Sequence, residues 1–144
     1  MQKWIRWGIC LILIIGIVVF LIVDKEKVVL GKTSTVSFED NFLLHIRTQE
    51  TDDGVQVQNS IQYIGDPTVI VEHKNPLISV SYDGKHSFEG ETVQRQMSNG
   101  SIYYQPKTDL DFPGDNEYIQ IKVKCRVDGE NIEFEYMEKI EFET

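Results

Sequence analysis

The densest group of side chains able to bind a ligand is acidic and lies late in the chain. Five oxygen-bearing side chains fall within nine residues, at Asp109, Asp111, Asp115, Asn116 and Glu117. Calcium takes about six to eight oxygen ligands, which loops rich in carboxylates supply. The spacing is not that of an EF-hand, because the glycine and the closing glutamate are misplaced. The run indicates either a calcium site at these five residues or a solvated acidic loop.

Side chains suited to nucleophilic or transition-metal chemistry are scattered. His45, His73 and His86 have no H-x-x-x-H or H-E-x-x-H spacing, and no G-x-S-x-G motif is present. We expect His73, which precedes Asn75-Pro76, to face solvent at a turn. Cys125 stands between two cationic residues, an alternation that places it on the core side of a strand as a small apolar residue. The sequence thus predicts no catalytic residues and no bound cofactor apart from possible calcium.

The charge balance limits the classes of partner. The chain has 23 acidic and 14 basic residues. Every acidic residue follows residue 23, whereas Lys3 and Arg6 precede it, so the later part carries 12 − 23 = −11. Phosphate backbones and anionic headgroups repel such a surface. We therefore expect no nucleic-acid binding, and either a cationic partner or a charge that serves solubility alone.

Residues 7–23, WGICLILIIGIVVFLIV, are an uncharged apolar run whose location determines where the rest of the chain lies. As a helix it would be about 25 Å long, at the short end of a membrane crossing. A cleaved signal peptide is the competing interpretation. Cleavage favours small residues in an A-x-A-like pattern, but the chain contains no alanine and the run is followed by Asp24-Lys25-Glu26-Lys27. We therefore predict a retained signal anchor that contacts the membrane through residues 7–23.

The anchor sets a predicted domain organisation of four parts. Residues 1–6 form a cytoplasmic tail, 7–23 the transmembrane segment, 24–35 a polar juxtamembrane stalk and 36–144 an extracytoplasmic domain. The positive-inside rule gives only a slight bias, so the strand-rich character of the domain decides the orientation. We expect a single-pass protein of the cell membrane with its N-terminus inside. Cys10 in the anchor cannot pair with Cys125 in the domain, so burial alone must hold the core.

Short runs that alternate between apolar and polar residues fill the predicted domain and are separated by turn signals. Turns are predicted at residues 51–54 and 83–84. The runs at 93–97 and 102–104 flank Asn99-Gly100, which favours a tight hairpin between them. Seven or eight strands in about 110 residues predict an all-β, two-sheet antiparallel sandwich. Outside residues 7–23, no window has a convincing helical period.

The last two runs predict the clearest hairpin. Apolar residues alternate along both, and Asp128-Gly129-Glu130-Asn131 lies between them. With these four residues as the loop, Cys125 would face Phe134 on the core side. Arg126 would face Glu133 on the solvent side, where opposite charges favour one register.

Over residues 36–143 the chain resembles immunoglobulin-like sandwiches, and more loosely the small anchored extracytoplasmic sandwiches of Gram-positive bacteria. Asp115-Asn116-Glu117-Tyr118, opening a late strand, is similar to the tyrosine corner of these folds. Gln120 stands where an antibody-type domain has its second cysteine, and no tryptophan follows residue 7. Pro113-Gly114 before a late strand is also similar to bacterial proteinase-inhibitor sandwiches.

These features predict a non-enzymatic binding or accessory module tethered at the cell envelope, whose partner is a protein or an envelope component. One alternative is an exported protease inhibitor or stress protein that uses residues 83–92 as its inhibitory loop. The other is a calcium-dependent adhesion module that uses the acidic run.

Overall fold

The computed structural model describes residues 32–141. This range contains ten β-strands and no helix. The strands are β1 (Lys32–Phe38), β2 (Phe42–Thr51), β3 (Gly54–Tyr63), β4 (Val69–Lys74), β5 (Ile78–Ser81), β6 (Thr92–Met97), β7 (Ile102–Tyr104), β8 (Thr108–Asp111), β9 (Tyr118–Val127) and β10 (Glu130–Lys139). The predicted all-β class is confirmed. Within the described range, no helix is long and apolar enough to span a bilayer. The predicted tail 1–6 and anchor 7–23 lie outside that range.

The strands form two antiparallel sheets of five strands each. Sheet I has the order β1-β2-β3-β7, with β8 also pairing with β3. Sheet II has the order β10-β9-β4-β6, with β5 also pairing with β9. Because β4 and β5 follow one another along β9, and β7 and β8 along β3, each couple is one interrupted strand. The ten strands therefore occupy eight positions (10 − 2), which agrees with the predicted seven or eight.

One hydrophobic core lies between the two sheets, and period-two alternation builds it. On β2 the buried residues are Phe42, Leu44 and Ile46, and the intervening side chains point outward. Ile119, Ile121, Val123 and Cys125 do the same on β9. Each fully buried aliphatic side chain contributes about 1.5–3 kcal/mol relative to its exposed state. The alternation thus sets which side chains of every strand remain for solvent and ligands.

The β9–β10 hairpin has the predicted faces but not the predicted register. Its loop is the two residues Asp128 and Gly129, both with positive φ (47° and 86°), which is the geometry that suits a two-residue hairpin. Cys125 therefore pairs with Ile132 rather than Phe134, and Glu133 with Lys124 rather than Arg126. The shift is two residues, so every side chain keeps its face. The prediction was wrong because it overlooked Asp-Gly as a complete turn.

The turn at Asn99-Gly100 forms, but the strands on its two sides do not pair with each other. Gly100 has a φ of 86°, as expected of a tight turn. Met97 pairs with Val69 in sheet II, whereas Ile102 pairs with Gln62 in sheet I. The turn carries the chain from one sheet to the other, so the predicted hairpin is wrong.

The domain begins earlier than residue 36. Lys32 already pairs with Thr48, and seven successive pairs join β1 to β2. Residues 32–35, predicted as the end of the stalk, are therefore part of sheet I. The remainder of the predicted stalk, 24–31, lies outside the described residues.

Candidate functional site

A groove of about 600 Å³ opens on sheet II where β4 separates from β9. The two strands pair at Glu72 and Arg126, and β5 takes over the pairing with β9 from Val123 onward. The gap between these two pairings leaves an opening in the sheet. Its volume lies within the range of about 300–1,000 Å³ that is usual for ligand sites.

Charged side chains on the outer face of sheet II form the walls of the groove. Lys74, Lys124 and Arg126 supply three cations, and Glu72 and Glu133 two carboxylates. Arg126 Nη1 lies 3.7 Å from Glu72 Oε1, and Lys124 Nζ lies 3.7 Å from Glu133 Oε1. Partly exposed pairs at this separation contribute little to stability, about 0–1 kcal/mol. A charged group of a ligand can therefore replace one partner of either ion pair at a small cost in free energy.

His73 forms part of the groove lining and is buried, with 3% of its surface exposed. Its Nδ1 lies 3.1 Å from the carbonyl of Lys74, which can only accept, so Nδ1 carries the proton. Its Nε2 lies 2.9 Å from the Tyr103 hydroxyl and accepts from it. The expected solvent-facing turn is wrong, because β4 runs on to Lys74. Val69 and Val71 alternate with outward-facing residues on β4, and continuing this alternation by two residues places His73 on the core face of the strand.

Cys125 also contributes to the lining, and its thiol is buried. The residue is buried and free, as the sequence predicts. Burial, with a small contribution from the charge of Glu39, raises the pKa of the thiol to about 12. A thiol is a nucleophile only as thiolate. Since both nitrogens of His73 already have partners, the groove presents no activated nucleophile at Cys125.

The segment 82–91 packs along the groove rather than projecting from the domain. The ring of Phe88 lies 5.9 Å from Lys124 Nζ, and Gly90 N–H donates to the carbonyl of Asn75 at 2.9 Å. His86 Nδ1 lies 2.9 Å from Ser79 Oγ. Burial and the nearby charge of Lys122 lower the pKa of His86. Residues 83–85, 87 and 89–91 are exposed, whereas Tyr82, His86 and Phe88 are half-buried.

The acidic run predicted as a calcium site is spread over a strand and a turn. Asp109 and Asp111 lie on β8, where Asp109 Oδ1 accepts from Gln56 Nε2 at 3.0 Å. Asp115, Asn116 and Glu117 follow in the connection to β9, and Asn116 Nδ2 donates to the Pro113 carbonyl at 2.8 Å. Among residues 32–141, no three His, Cys, Asp or Glu side chains are grouped so as to hold a metal ion. The calcium site at these five residues stays a prediction.

A second polar cluster joins the two sheets on the side of β1 and β10. Glu138 is 2% exposed, and its Oε1 accepts from Ser34 Oγ at 2.7 Å and from Lys32 Nζ at 3.3 Å. Burial alone would lower the pKa of Lys32, but the hydrogen bond and charge of Glu138, with Glu141, raise it. Glu138 falls on the core face in the alternation of Phe134, Tyr136 and Ile140. The sequence therefore held a signal for this cluster that was not used.

Asn59 is a buried polar residue of another kind. It lies on the core face of β3 between Val57 and Ile61, and 5% of its surface is exposed. Neither its Oδ1 nor its Nδ2 has a hydrogen-bond partner. Such an amide destabilises the folded state.

Comparison of the chain with protein-family models, with curated proteins and with solved structures finds no match.

Proposed function

We propose that this chain is a non-enzymatic binding module, a membrane-anchored extracytoplasmic sandwich that holds a protein or envelope component in its sheet II groove. Residues 7–23 are its anchor, with the N-terminus inside. The observation that carries the proposal is the groove itself. Its walls offer exchangeable charges, while its histidine is fully hydrogen-bonded and its thiol is neutral at physiological pH. Such a site is suited to binding and not to covalent catalysis.

The strand order supports an immunoglobulin-like sandwich. With the two interrupted strands joined, sheet II has four positions in the order β10-β9-β4-β6. This is the arrangement G-F-C-C′ of variable-type domains, and β2, β3 and β7 then correspond to A, B and E. Tyr118 opens β9 as the tyrosine of a tyrosine corner would, but 41% of its surface is exposed. The likeness therefore rests on connectivity and not on the corner.

The binding proposal is tested by site-specific photo-crosslinking in intact cells. A photoreactive residue replaces Thr92, which contributes to the groove, or Arg47, which points outward from sheet I. Capture of the same neighbour from position 92 and not from position 47 supports the proposal. The capture must also disappear when Lys124→Glu and Arg126→Glu are combined. Equal capture from both positions would refute the groove as the binding site.

The anchor and its orientation are tested separately by thiol labelling. Ser87 is exposed, so Ser87→Cys provides a labelling site in the domain, whereas Cys125 is buried. The proposal expects a membrane-impermeant maleimide to label Ser87→Cys in intact cells. Labelling that requires permeabilised cells would place the domain inside, and recovery in the soluble fraction would refute the anchor.

A protease inhibitor is the second candidate, and the predicted inhibitory loop at residues 83–92 favours it. The Lys85 side chain is 89% exposed, and Asp83 Oδ1 accepts from the Lys85 backbone N–H within the loop. His86 and Gly90 attach the loop to Ser79 and Asn75. A rigid loop presenting a lysine suits a protease whose specificity pocket contains a carboxylate. This candidate expects the full chain to inhibit a trypsin-like protease and Lys85→Ala to abolish the inhibition.

The calcium-dependent adhesion module remains an alternative with its own test. It expects the melting temperature to rise in millimolar calcium, and the rise to vanish in the double variant Asp109→Ala/Asp111→Ala. An unchanged melting temperature would remove this alternative.

A further inference from the structure

A chain of side-chain hydrogen bonds crosses β1, β2 and β3 on the outer face of sheet I. Thr35 on β1 lies directly opposite His45 on β2, and Gln62 on β3 is a diagonal neighbour of His45. Thr35 Oγ1 lies 3.0 Å from His45 Nδ1, and His45 Nε2 lies 2.9 Å from Gln62 Oε1. Gln62 Nε2 in turn lies 3.4 Å from the carbonyl oxygen of Gly100. The chain therefore consists of a hydroxyl, an imidazole, an amide and a backbone carbonyl.

The carbonyl at the end of this chain fixes where every proton lies. It can only accept, so the Gln62 amide nitrogen donates to it and the amide oxygen faces His45. That oxygen can only accept, so His45 Nε2 carries the ring proton and Nδ1 keeps its lone pair. The Thr35 hydroxyl must then donate to Nδ1. A hydroxyl that donates to the free nitrogen of a neutral imidazole is arranged for histidine to take its proton as the oxygen attacks.

The surroundings of Thr35 admit a reactant and supply a positive charge. Thr35 is exposed and the His45 ring is half-buried, so a reactant reaches the hydroxyl from solvent. Arg47 is the diagonal neighbour of Thr35 on the same face, and diagonal positions lie within reach of a long side chain. Its cation can stabilise the negative charge that develops on an attacked carbonyl oxygen. One face thus holds a nucleophile, a base, a residue that orients the base and a cation.

We infer that Thr35 is an acyl-acceptor site, at which an activated carboxylic ester transfers its acyl group to the chain. Thr35 Oγ1 forms a bond to the ester carbonyl carbon while its proton passes to His45 Nδ1. The bond from that carbon to the leaving oxygen then breaks, and His45 gives the proton to the departing alcohol. The products are an ester of Thr35 and one alcohol, and nothing is oxidised or reduced. Since the site is on sheet I and the groove is on sheet II, this modification is additional to the proposed binding function.

The test is acetylation of the full chain, in a non-ionic detergent, by p-nitrophenyl acetate. Tandem mass spectrometry after an acid quench locates each acetyl group, and absorbance measures the p-nitrophenolate released. Thr33 and Ser37 are internal controls, because both are exposed hydroxyls on the same face of β1 but lie opposite Arg47 and Leu43 rather than a histidine. This comparison is made within one chain and requires no variant.

We expect acetylation of Thr35 to exceed that of Thr33 and Ser37 by about tenfold or more. His45→Asn should lower it to the level of the two controls, and Arg47→Gln should lower it about threefold or more.

Gln62 acts as a positioning residue, so its role needs a variant that separates orientation from structure. Gln62→Leu leaves the ring of His45 free to change tautomer and should slow acetylation of Thr35 about threefold or more. Gln62→Glu still accepts from Nε2–H and should restore it. A loss that Gln62→Glu does not restore would contradict this role.

Equal acetylation of Thr35 and its two internal controls would overturn the inference, as would acetylation of Thr35 that persists in His45→Asn. Release of p-nitrophenolate that requires both Thr35 and His45 would support it even where the ester is hydrolysed before the quench. Release that Thr35→Val leaves unchanged, with no acetyl group at Thr35, would overturn it. Labelling of Ser87→Cys and crosslinking from position 92 do not involve this site, so the proposed function can stand when this inference fails.

Discussion

Two polar clusters connect the sheets on opposite sides of the sandwich, and they use different chemistry. On the side of β1 and β10, Ser34 and Lys32 contact the buried carboxylate of Glu138. On the side of β7 and β4, the link is a hydrogen bond of 2.9 Å between the Tyr103 hydroxyl and His73 Nε2. Arg95 lies over the Tyr103 ring at 4.5 Å and shields it. The first side is therefore held by an ion pair and a hydrogen bond to the Glu138 carboxylate. The second side is held by the hydrogen bond between Tyr103 and His73.

Removing the charge on the first side should have the largest effect. Glu138→Ala leaves Ser34 without its acceptor and Lys32 with only the exposed Glu141 as a partner, and we expect the free energy of unfolding to fall by about 2–3 kcal/mol. Urea unfolding of the full chain, followed by circular dichroism at the strand band, measures it. Glu138→Gln keeps an acceptor for Ser34 and should lose less. A fall below about 0.5 kcal/mol for Glu138→Ala would show that the side is not held by charge.

Alkaline pH separates the contribution of Cys125 from that of Lys32. The thiol has a pKa of about 12 in the folded chain against 9.0 when unfolded, so above pH 9 only the unfolded state loses the proton. Stability should therefore fall as pH rises, by about 1.4 kcal/mol at pH 10. Cys125→Val should remove this contribution, whereas the raised pKa values of Tyr82 and Tyr136 add a loss of the same sign above about pH 10. The raised pKa of Lys32 has the same sign, since its stabilisation is complete below 10.5 and is lost at higher pH. In the Cys125→Val background, any remaining loss above 10.5 should shrink in Lys32→Met.

Removing the hydrogen bond on the second side should have a smaller effect. Tyr103→Phe leaves the buried Nε2 of His73 without a donor and should lower the free energy of unfolding by about 1 kcal/mol. Combining it with His73→Leu measures the coupling between the two side chains. Effects that simply add would contradict a link through this bond.

The smallest expected effect is an increase in stability, on replacing Asn59, which belongs to neither polar cluster. Asn59→Leu keeps the branched shape of the side chain and removes two unpaired polar atoms, so we expect stability to rise by about 0.5–1 kcal/mol. A loss instead would mean that the amide has a bound water or another partner, which the heat-capacity change and a buried-water signal in nuclear magnetic resonance would test.

Sequence alternation predicted the faces of the strands well, because each side chain's face depends only on its neighbours. It predicted pairing less well. The register of β9 with β10 follows from positive φ at Asp128 and Gly129, a local detail. β6 and β7 do not pair with each other, although they are consecutive: β6 pairs with β4 and β7 with β3, and no local pattern specifies these partners.

The polar core residues His73 and Glu138 were missed for a different reason. Both fit the inward period, but Asn75-Pro76 indicated a turn at His73, and the alternation of β10 was followed through its apolar residues alone. Their partners, Tyr103 and Lys32, come from the opposite sheet, and only the folded structure brings them together.

The position of β1 determines how the domain would respond to mechanical load. A pull transmitted from the N-terminal side acts first on Lys32, and seven successive residue pairs hold β1 to β2. A force along the strand loads these pairs together in shear, whereas a force across it would open them one at a time. Lys32 and Ser34 also bind Glu138 in sheet II. Tension applied at the N-terminal end of β1 is therefore distributed over both sheets before β1 can slide along β2.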